Sequence, residues 1–221
     1  MQANSRCIES NQAGIHENLE RVVRKHLDSL FRKPFAEHTF DAFEAIKLPI
    51  ETVLEQGAGL IFDSGCGTAV STRRLAMQHP DSLVIGIDRS AHRLNKDYNQ
   101  SLPSNAHLVQ AECADFRRLA VKAGWKLEKH TIFYPNPYPK ANHLKRRWHA
   151  HPVFPSLLQL GGKLELRSNW KTYMDEFCLA LSFAGFEDCR VETIRPSEAM
   201  TLFEKKYQES GQPLYSCEVM L

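Results

Sequence analysis

The stretch Leu60-Ile61-Phe62-Asp63-Ser64-Gly65-Cys66-Gly67-Thr68-Ala69 decides the fold. It opens on a short apolar run of the kind that reads as a buried strand. Gly65 and Gly67 permit a tight turn with positive φ and a close approach of backbone amides to a ligand. The helical stretch Ala69–His79 follows at once. Strand, glycine turn and helix in that order open a βαβ unit, which needs a parallel partner strand further along the chain.

Outward from this stretch the alternation continues. Leu83–Asp88, His107–Ala111, Thr131–Tyr134 and Lys163–Arg167 read as further strands. The helical patterns Ala91–Asn99, Ala114–Lys122 and Tyr173–Ala184 separate or follow them. Val191–Ile194 and Leu214–Leu221 can add strands at one edge. The expected fold is therefore α/β, a Rossmann-like, doubly wound and mostly parallel seven-stranded sheet.

Upstream, the first dozen residues are polar and without periodicity, so disorder is expected there. Ile15, Leu19, Val22, Val23, His26, Leu27 and Leu30 then recur at helical spacing, with Arg21, Arg24, Lys25, Arg32 and Lys33 on the other face. A basic face of this kind is ordinarily a solvated surface. Pro34 ends the pattern, and a second helix is expected over His38–Glu55 with an interruption near Pro49. The organisation expected is a helical N-terminal extension over residues 1–56 and a Rossmann-like domain over 57–221.

Composition narrows the classes of function. Hydrophobic residues make up 43% and charged residues 24% of 221, the balance of an ordinary globular chain. No apolar run approaches the roughly 18–20 residues that span a bilayer. Met1–Gly14 lacks the apolar stretch of a secretory signal, so a cytoplasmic protein without a membrane partner is expected. Cys7, Cys66, Cys113, Cys178, Cys189 and Cys217 show no CxxC pair and no metal-ligand spacing. They are expected as free thiols, with no metal bound. The net charge of +2 does not by itself argue for nucleic acid.

The chemistry concentrates at the ends of the expected strands. Asp63, Gly65 and Gly67 lead into a helix N-terminus with unpaired amides. Asp88 closes the second strand, where a carboxylate can take both hydroxyls of an adenosine ribose. Glu112 and Cys113 follow the third strand, where an acid and backbone amides can meet an adenine edge. The G-x-G-x-x-G pattern of dinucleotide folds fails, because Val70 stands at its third glycine. A leading acid disfavours a pyrophosphate and favours a ligand carrying a positive amine and a sulfonium. The expected cofactor is S-adenosyl-L-methionine, bound by Asp63, Gly65, Gly67, Asp88, Glu112 and Cys113, and the expected fold is that of the class I methyltransferases dependent on it.

The fourth strand runs into Tyr134-Pro135-Asn136-Pro137-Tyr138-Pro139-Lys140. Ligands of open α/β sheets bind beyond the carboxyl ends of the strands, so this proline-stiffened loop faces the reacting group. Asn136 can hydrogen-bond a base edge and Tyr138 can stack on a base. His143-Leu144-Lys145-Arg146-Arg147-Trp148-His149 adds a basic cluster with an aromatic inside it, suited to phosphate and an unstacked base.

The run Asn136-Pro137-Tyr138-Pro139-Lys140 through His143 and Lys145-Arg146-Arg147 resembles the signature of the bacterial tRNA (guanine-N(7))-methyltransferases, P-D-P-W-x-K-x-x-H-x-K-R-R. Thr201-Leu202-Phe203-Glu204 is similar to that family's T-x-F-E element, and Ser168-Asn169 falls where the family has T-D. The resemblance covers about Leu60 to the C-terminus. It implies a tRNA partner and transfer of a methyl group to guanine N(7). It further implies that Asn136 and Glu204 are catalytic, that Asn169 and Thr201 help Glu204 orient the base, and that Lys140, Lys145, Arg146 and Arg147 hold the tRNA. A monomer or weak homodimer is expected. The chain departs from the pattern at Asn136 and Asn169, where the family has Asp, and at Tyr138, where it has Trp. Two alternatives stay open: methylation of another substrate such as an exocyclic base amine, and a cofactor-binding but inactive relative that binds RNA or protein.

Overall fold

The computed structural model describes residues 5–96 and 101–221. Among these residues seven strands form one sheet: β1 (Gly59–Ser64), β2 (Ser82–Asp88), β3 (Ala106–Gln110), β4 (Lys129–Phe133), β5 (Lys163–Ser168), β6 (Glu192–Ile194) and β7 (Leu214–Met220). Their order is β3-β2-β1-β4-β5-β7-β6. The first five pair in parallel, while β7 runs antiparallel to both β5 and β6. This is the Rossmann-like class I arrangement expected from the sequence. The chain crosses from one half of the sheet to the other between β1 and β4. That switch point opens a crevice beyond their carboxyl ends, and it fixes where a ligand sits.

Among the described residues eight α-helices accompany the strands: α1 (Leu19–Leu27), α2 (Glu37–Glu55), α3 (Val70–Gln78), α4 (Ala91–Leu94), α5 (Cys113–Lys122), α6 (Phe154–Gln159), α7 (Lys171–Phe183) and α8 (Leu202–Glu209). Alternation along β1 divides the core, since Leu60 and Phe62 pack with α2 and α5 while Ile61 packs with Leu75 and Ala76 of α3. All seven residues of β2 are buried, as a strand covered on both faces must be. At Gly86 a Cβ would lie 2.5 Å from Thr72 Oγ1 and 2.8 Å from Leu108 Cδ2, so its absence lets α3 lie close on the sheet.

The N-terminal helices belong to these cores. Leu19, Val22 and Val23 of α1 are buried with Phe154 and Leu157 of α6 and Phe177 of α7. Phe43 of α2 stacks on Trp125 at 4.8 Å. The basic face of α1, with Arg21, Arg24 and Lys25, is exposed.

Three expectations need correction, and two helices are added. Helix α2 runs through Pro49 without interruption, because Pro49 lies on its exposed side and the helix is held by its buried face. Cys178 and Cys189 are joined by a disulfide rather than free; the turn at Gly185 brings their Cα atoms to 5.3 Å. Helices α6 and α8 were not legible as periodic segments; they span 6 and 8 residues, about two turns each. The described part of the polar N-terminus is hydrogen-bonded: Ser10 Oγ donates to Pro139 O at 2.6 Å, and Asn11 Oδ1 accepts from Ala141 N at 2.9 Å. Residues 97–99 of the helix expected over Ala91–Asn99 lie outside the described residues, and α4 ends at Leu94.

Candidate active site

The turn after β1 is a cradle built from backbone. Gly65, Gly67 and Ala69 all adopt positive φ, at 82°, 58° and 60°. Gly65 N and Cys66 N donate to Ile87 O at 2.7 and 3.1 Å, which fastens the turn to the end of β2. A Cβ on Gly65 would meet nothing within 4 Å, and one on Gly67 only Arg93 Cδ at 3.9 Å. The glycines therefore border open space that a ligand can occupy. Asp88 is 4% exposed, with Oδ2 accepting from Gly67 N at 2.9 Å and Oδ1 from Ser90 N at 2.8 Å. The carboxylate is held rigidly at the rim of that space, where its remaining lone pairs can accept hydroxyl donors.

Two adjoining cavities of about 420 and 550 Å³ open over this cradle. Gly65, Asp88, Arg93, Asn136 and Trp148 border both. The first extends to Tyr134, Thr201, Phe203 and Lys206; the second reaches Glu112, Cys113, Tyr138 and Arg146. Each is large enough for a nucleoside-sized ligand. Burial pushes the Cys113 thiol up to about 11, so it stays protonated, and its Sγ faces Ile87 O at 3.6 Å.

The loop after β4 is shaped for its place. Tyr134 and Tyr138 take positive φ of 51° and 45°, which costs a non-glycine residue about 1–2 kcal/mol each. Asn136 Oδ1 accepts from Tyr138 N at 3.2 Å, an Asx turn that stabilises the bend. Tyr134 Oη donates to Glu204 Oε1 at 2.9 Å and so ties the loop to α8.

Several sequence-predicted site residues face elsewhere. The Asp63 carboxylate does not reach the cleft. It accepts from Ser71 and Thr72 hydroxyls at 2.6 and 2.7 Å and from Thr131 at 3.2 Å, so it locks α3 to the sheet. Burial raises its pKa against those three hydrogen bonds. Glu204 is fully buried and accepts from Tyr134, from Arg167 Nη1 at 2.9 Å and from Met200 N, which leaves it no direct contact with a base. Asn169 is absent from both cavity walls and donates to Gln212 Oε1 at 2.8 Å. Arg147 is 0% exposed and ion-paired with Glu176, which removes it from any phosphate-binding surface. Its Nη2 also donates to Tyr138 O at 3.1 Å, so the last Arg of the signature shapes the loop from beneath. Lys140, Lys145 and Arg146 are exposed, Arg146 alone of them borders the second cavity, and Thr201 caps α8 while bordering the first.

Arg93 and Lys206 were not singled out from the sequence, whereas Trp148 is the aromatic of the basic cluster His143–His149 read there as suited to an unstacked base. Arg93 and Lys206 stand on helices whose positions follow only from the crossovers, and no local pattern marks them.

A family model described as "Putative methyltransferase" matches residues 58–217, most of the chain. The chain belongs to this family. The methyltransferase is 26% identical to a tRNA (guanine-N(7)-)-methyltransferase of Nitrosomonas europaea, over 91% of this chain and 90% of that one. It is 28% identical to a protein of the same description from Pseudomonas aeruginosa, over 75% and 72%. Among solved structures it is similar to the 16S rRNA methyltransferase KamB, with a TM-score of 0.58 at 16% identity, covering 86% of this chain and 95% of that one. An antibiotic-related methyltransferase gives a TM-score of 0.55 at 16% identity, over 79% and 93%. These likenesses establish the class I methyltransferase fold.

Proposed function

We propose that the protein transfers the methyl group of S-adenosyl-L-methionine to N(7) of a guanine in tRNA. The observation that carries this is the position of Asn136. It lies within the strand-four loop that resembles the guanine-N(7) signature, and it borders both cavities over the glycine cradle. The printed descriptions of the relatives support the same substrate.

The residues fit the cofactor. Gly65 and Gly67 leave the cradle open, Asp88 offers a fixed carboxylate for the ribose hydroxyls, and Glu112 and Cys113 line the wall beyond it. Bound there, S-adenosyl-L-methionine supplies an electrophilic methyl on a sulfonium. Guanine N(7) carries a free lone pair, so no side chain has to remove a proton before attack. What the chain must supply is alignment of the base.

Asn136 provides part of that alignment. Its Oδ1 accepts from Tyr138 N, which orients the amide, and its nitrogen remains a donor. That donor suits the O6 acceptor beside N(7), where a carboxylate would instead suit donors of the base. Glu204 acts indirectly, holding Tyr134 and the start of α8. The exposed Lys140, Lys145 and Arg146, together with Arg93 and Lys206 of the cavity wall, offer positive charge to RNA phosphates.

We place this activity in the cytoplasm, in a monomer or weak homodimer. Among the described residues no helix is long and apolar enough to cross a membrane. The experiment is methyl transfer from labelled S-adenosyl-L-methionine to an unmodified tRNA transcript, followed by digestion and nucleoside identification. Labelled 7-methylguanosine is the expected product. Cofactor binding without label in RNA would overturn the assignment, and label in an exocyclic amine would redirect it.

A further inference from the structure

Arg117 of α5 is the least compensated charge among the described residues. Its exposure is 0%, and Nε, Nη1 and Nη2 all lack a hydrogen-bond partner. What it does meet is the ring of Trp148, whose centroid lies 4.3 Å from the guanidinium carbon. Burial pushes Arg117 down to about 10, which still leaves it cationic at neutral pH. A buried guanidinium without a carboxylate costs stability, and such costs are found where a site needs them.

Trp148 is held on several sides. Its backbone N–H donates to Tyr173 Oη at 3.2 Å, and His151 meets its ring at 5.9 Å and 66°. Arg117 lies against the indole, and Trp148 borders both cavities of the cleft beside Asn136. A rigid aromatic plane at the junction of two ligand cavities, and polarised by a fixed cation, is a base-stacking surface.

We propose that Trp148 is the platform on which the target base docks, and that Arg117 is its positioning residue. This role rests on the guanine methylation proposed above and adds a discrimination to it. Methyl transfer turns a neutral guanine into a cation. A cation fixed at the ring favours the neutral base and disfavours the charged product, so the same pair helps the product leave.

The test uses mononucleotides and does not depend on turnover. The protein, saturated with S-adenosylhomocysteine, is titrated with GMP and with 7-methyl-GMP while tryptophan emission is followed. We expect quenching that Trp148→Phe abolishes, although Trp125 and Trp170 remain. Arg117→Met should shift preference towards 7-methyl-GMP by at least about 3-fold, while its melting temperature holds or rises because an unpartnered buried charge is gone. Arg117→Lys, which keeps the charge, should retain the parental preference. In transfer assays, Trp148→Ala should lower kcat/KM for tRNA by about 10-fold or more with cofactor affinity unchanged, and Trp148→Phe should recover most of it.

Quenching that persists in Trp148→Phe, no quenching in the parent, or an unchanged preference in Arg117→Met would each overturn the role. If the nucleotide results hold but the parent places no methyl on tRNA guanine, the substrate assignment fails and the base platform stands. If the parent methylates tRNA and Trp148→Ala is unaffected, the platform fails and the assignment stands.

Discussion

Tyr134 Oη donates to Glu204 Oε1 at 2.9 Å, and this bond joins the strand-four loop to the first turn of α8 across 70 residues of sequence. The same carboxylate accepts from Arg167 Nη1 at 2.9 Å and from Met200 N. One buried acid thus organises three segments around the cleft, and its effect on activity runs through the shape of the loop.

Glu204→Ala should therefore destabilise the protein before it affects chemistry. It leaves the Tyr134 hydroxyl and Met200 N–H without their acceptor, at a cost of about 1–3 kcal/mol for such a group. Urea unfolding would show a lower midpoint. Tyr134→Phe removes only one of the three donors, so its midpoint should fall less. A Glu204→Ala variant with parental stability and no activity would instead place the carboxylate on the substrate.

Asp88→Ala should weaken binding of S-adenosyl-L-methionine by about 1.5–3 kcal/mol, the worth of a hydrogen bond to a charged group. Part of the loss comes from releasing Gly67 N and Ser90 N, which the carboxylate now holds. Calorimetry would detect the change, and an unchanged affinity would show that the ribose does not sit at Asp88.

The basic cluster should split by burial. Lys145→Ala with Arg146→Ala should reduce the slope of log binding constant against log salt by about 0.7–0.9 per charge removed, with folding intact. Arg147→Ala should instead lower the melting temperature strongly, because it removes the buried ion-pair partner of Glu176 and breaks the contact with Tyr138 O. Parallel filter-binding and melting curves would separate the two classes. Equal effects on both measurements would refute the division.

Acid should unfold the protein through Glu176. Burial alone would raise its pKa, but the hydrogen bond from His149 and the charge of Arg147 hold it down at about 2, against an ordinary 4.5. A carboxylate with a depressed folded pKa contributes stability that is complete above the unfolded value. That contribution is lost as pH falls from about 4.5 towards 2. Glu176→Gln should be less stable at neutral pH and should show a flatter decline across that window. A parallel decline in both proteins would assign the acid sensitivity to other groups.

The sheet and the cradle are legible in the order of residues alone. The run ending in Asp63, the turn Gly65-Cys66-Gly67 and the alternation of short apolar strands with helices are local patterns set by backbone preference and burial period. Those properties are carried by neighbouring residues, so they can be read without knowing the fold. Asp88 could be placed for the same reason, at the end of a strand whose seven residues are all buried.

Only the tertiary structure decided which polar side chains face the cleft. Arg146 and Arg147 are adjacent, yet the first borders a cavity and the second is sealed against Glu176 from α7. Asp63 and Asp88 both end strands, but only Asp88 reaches the cavity, because Ser71, Thr72 and Thr131 occupy the other carboxylate. The union of Cys178 with Cys189 and the contact of Arg117 with Trp148 likewise depend on how elements pack. A charged residue inside a protein goes to whichever partner the fold brings within hydrogen-bond reach, and that partner is usually distant in sequence.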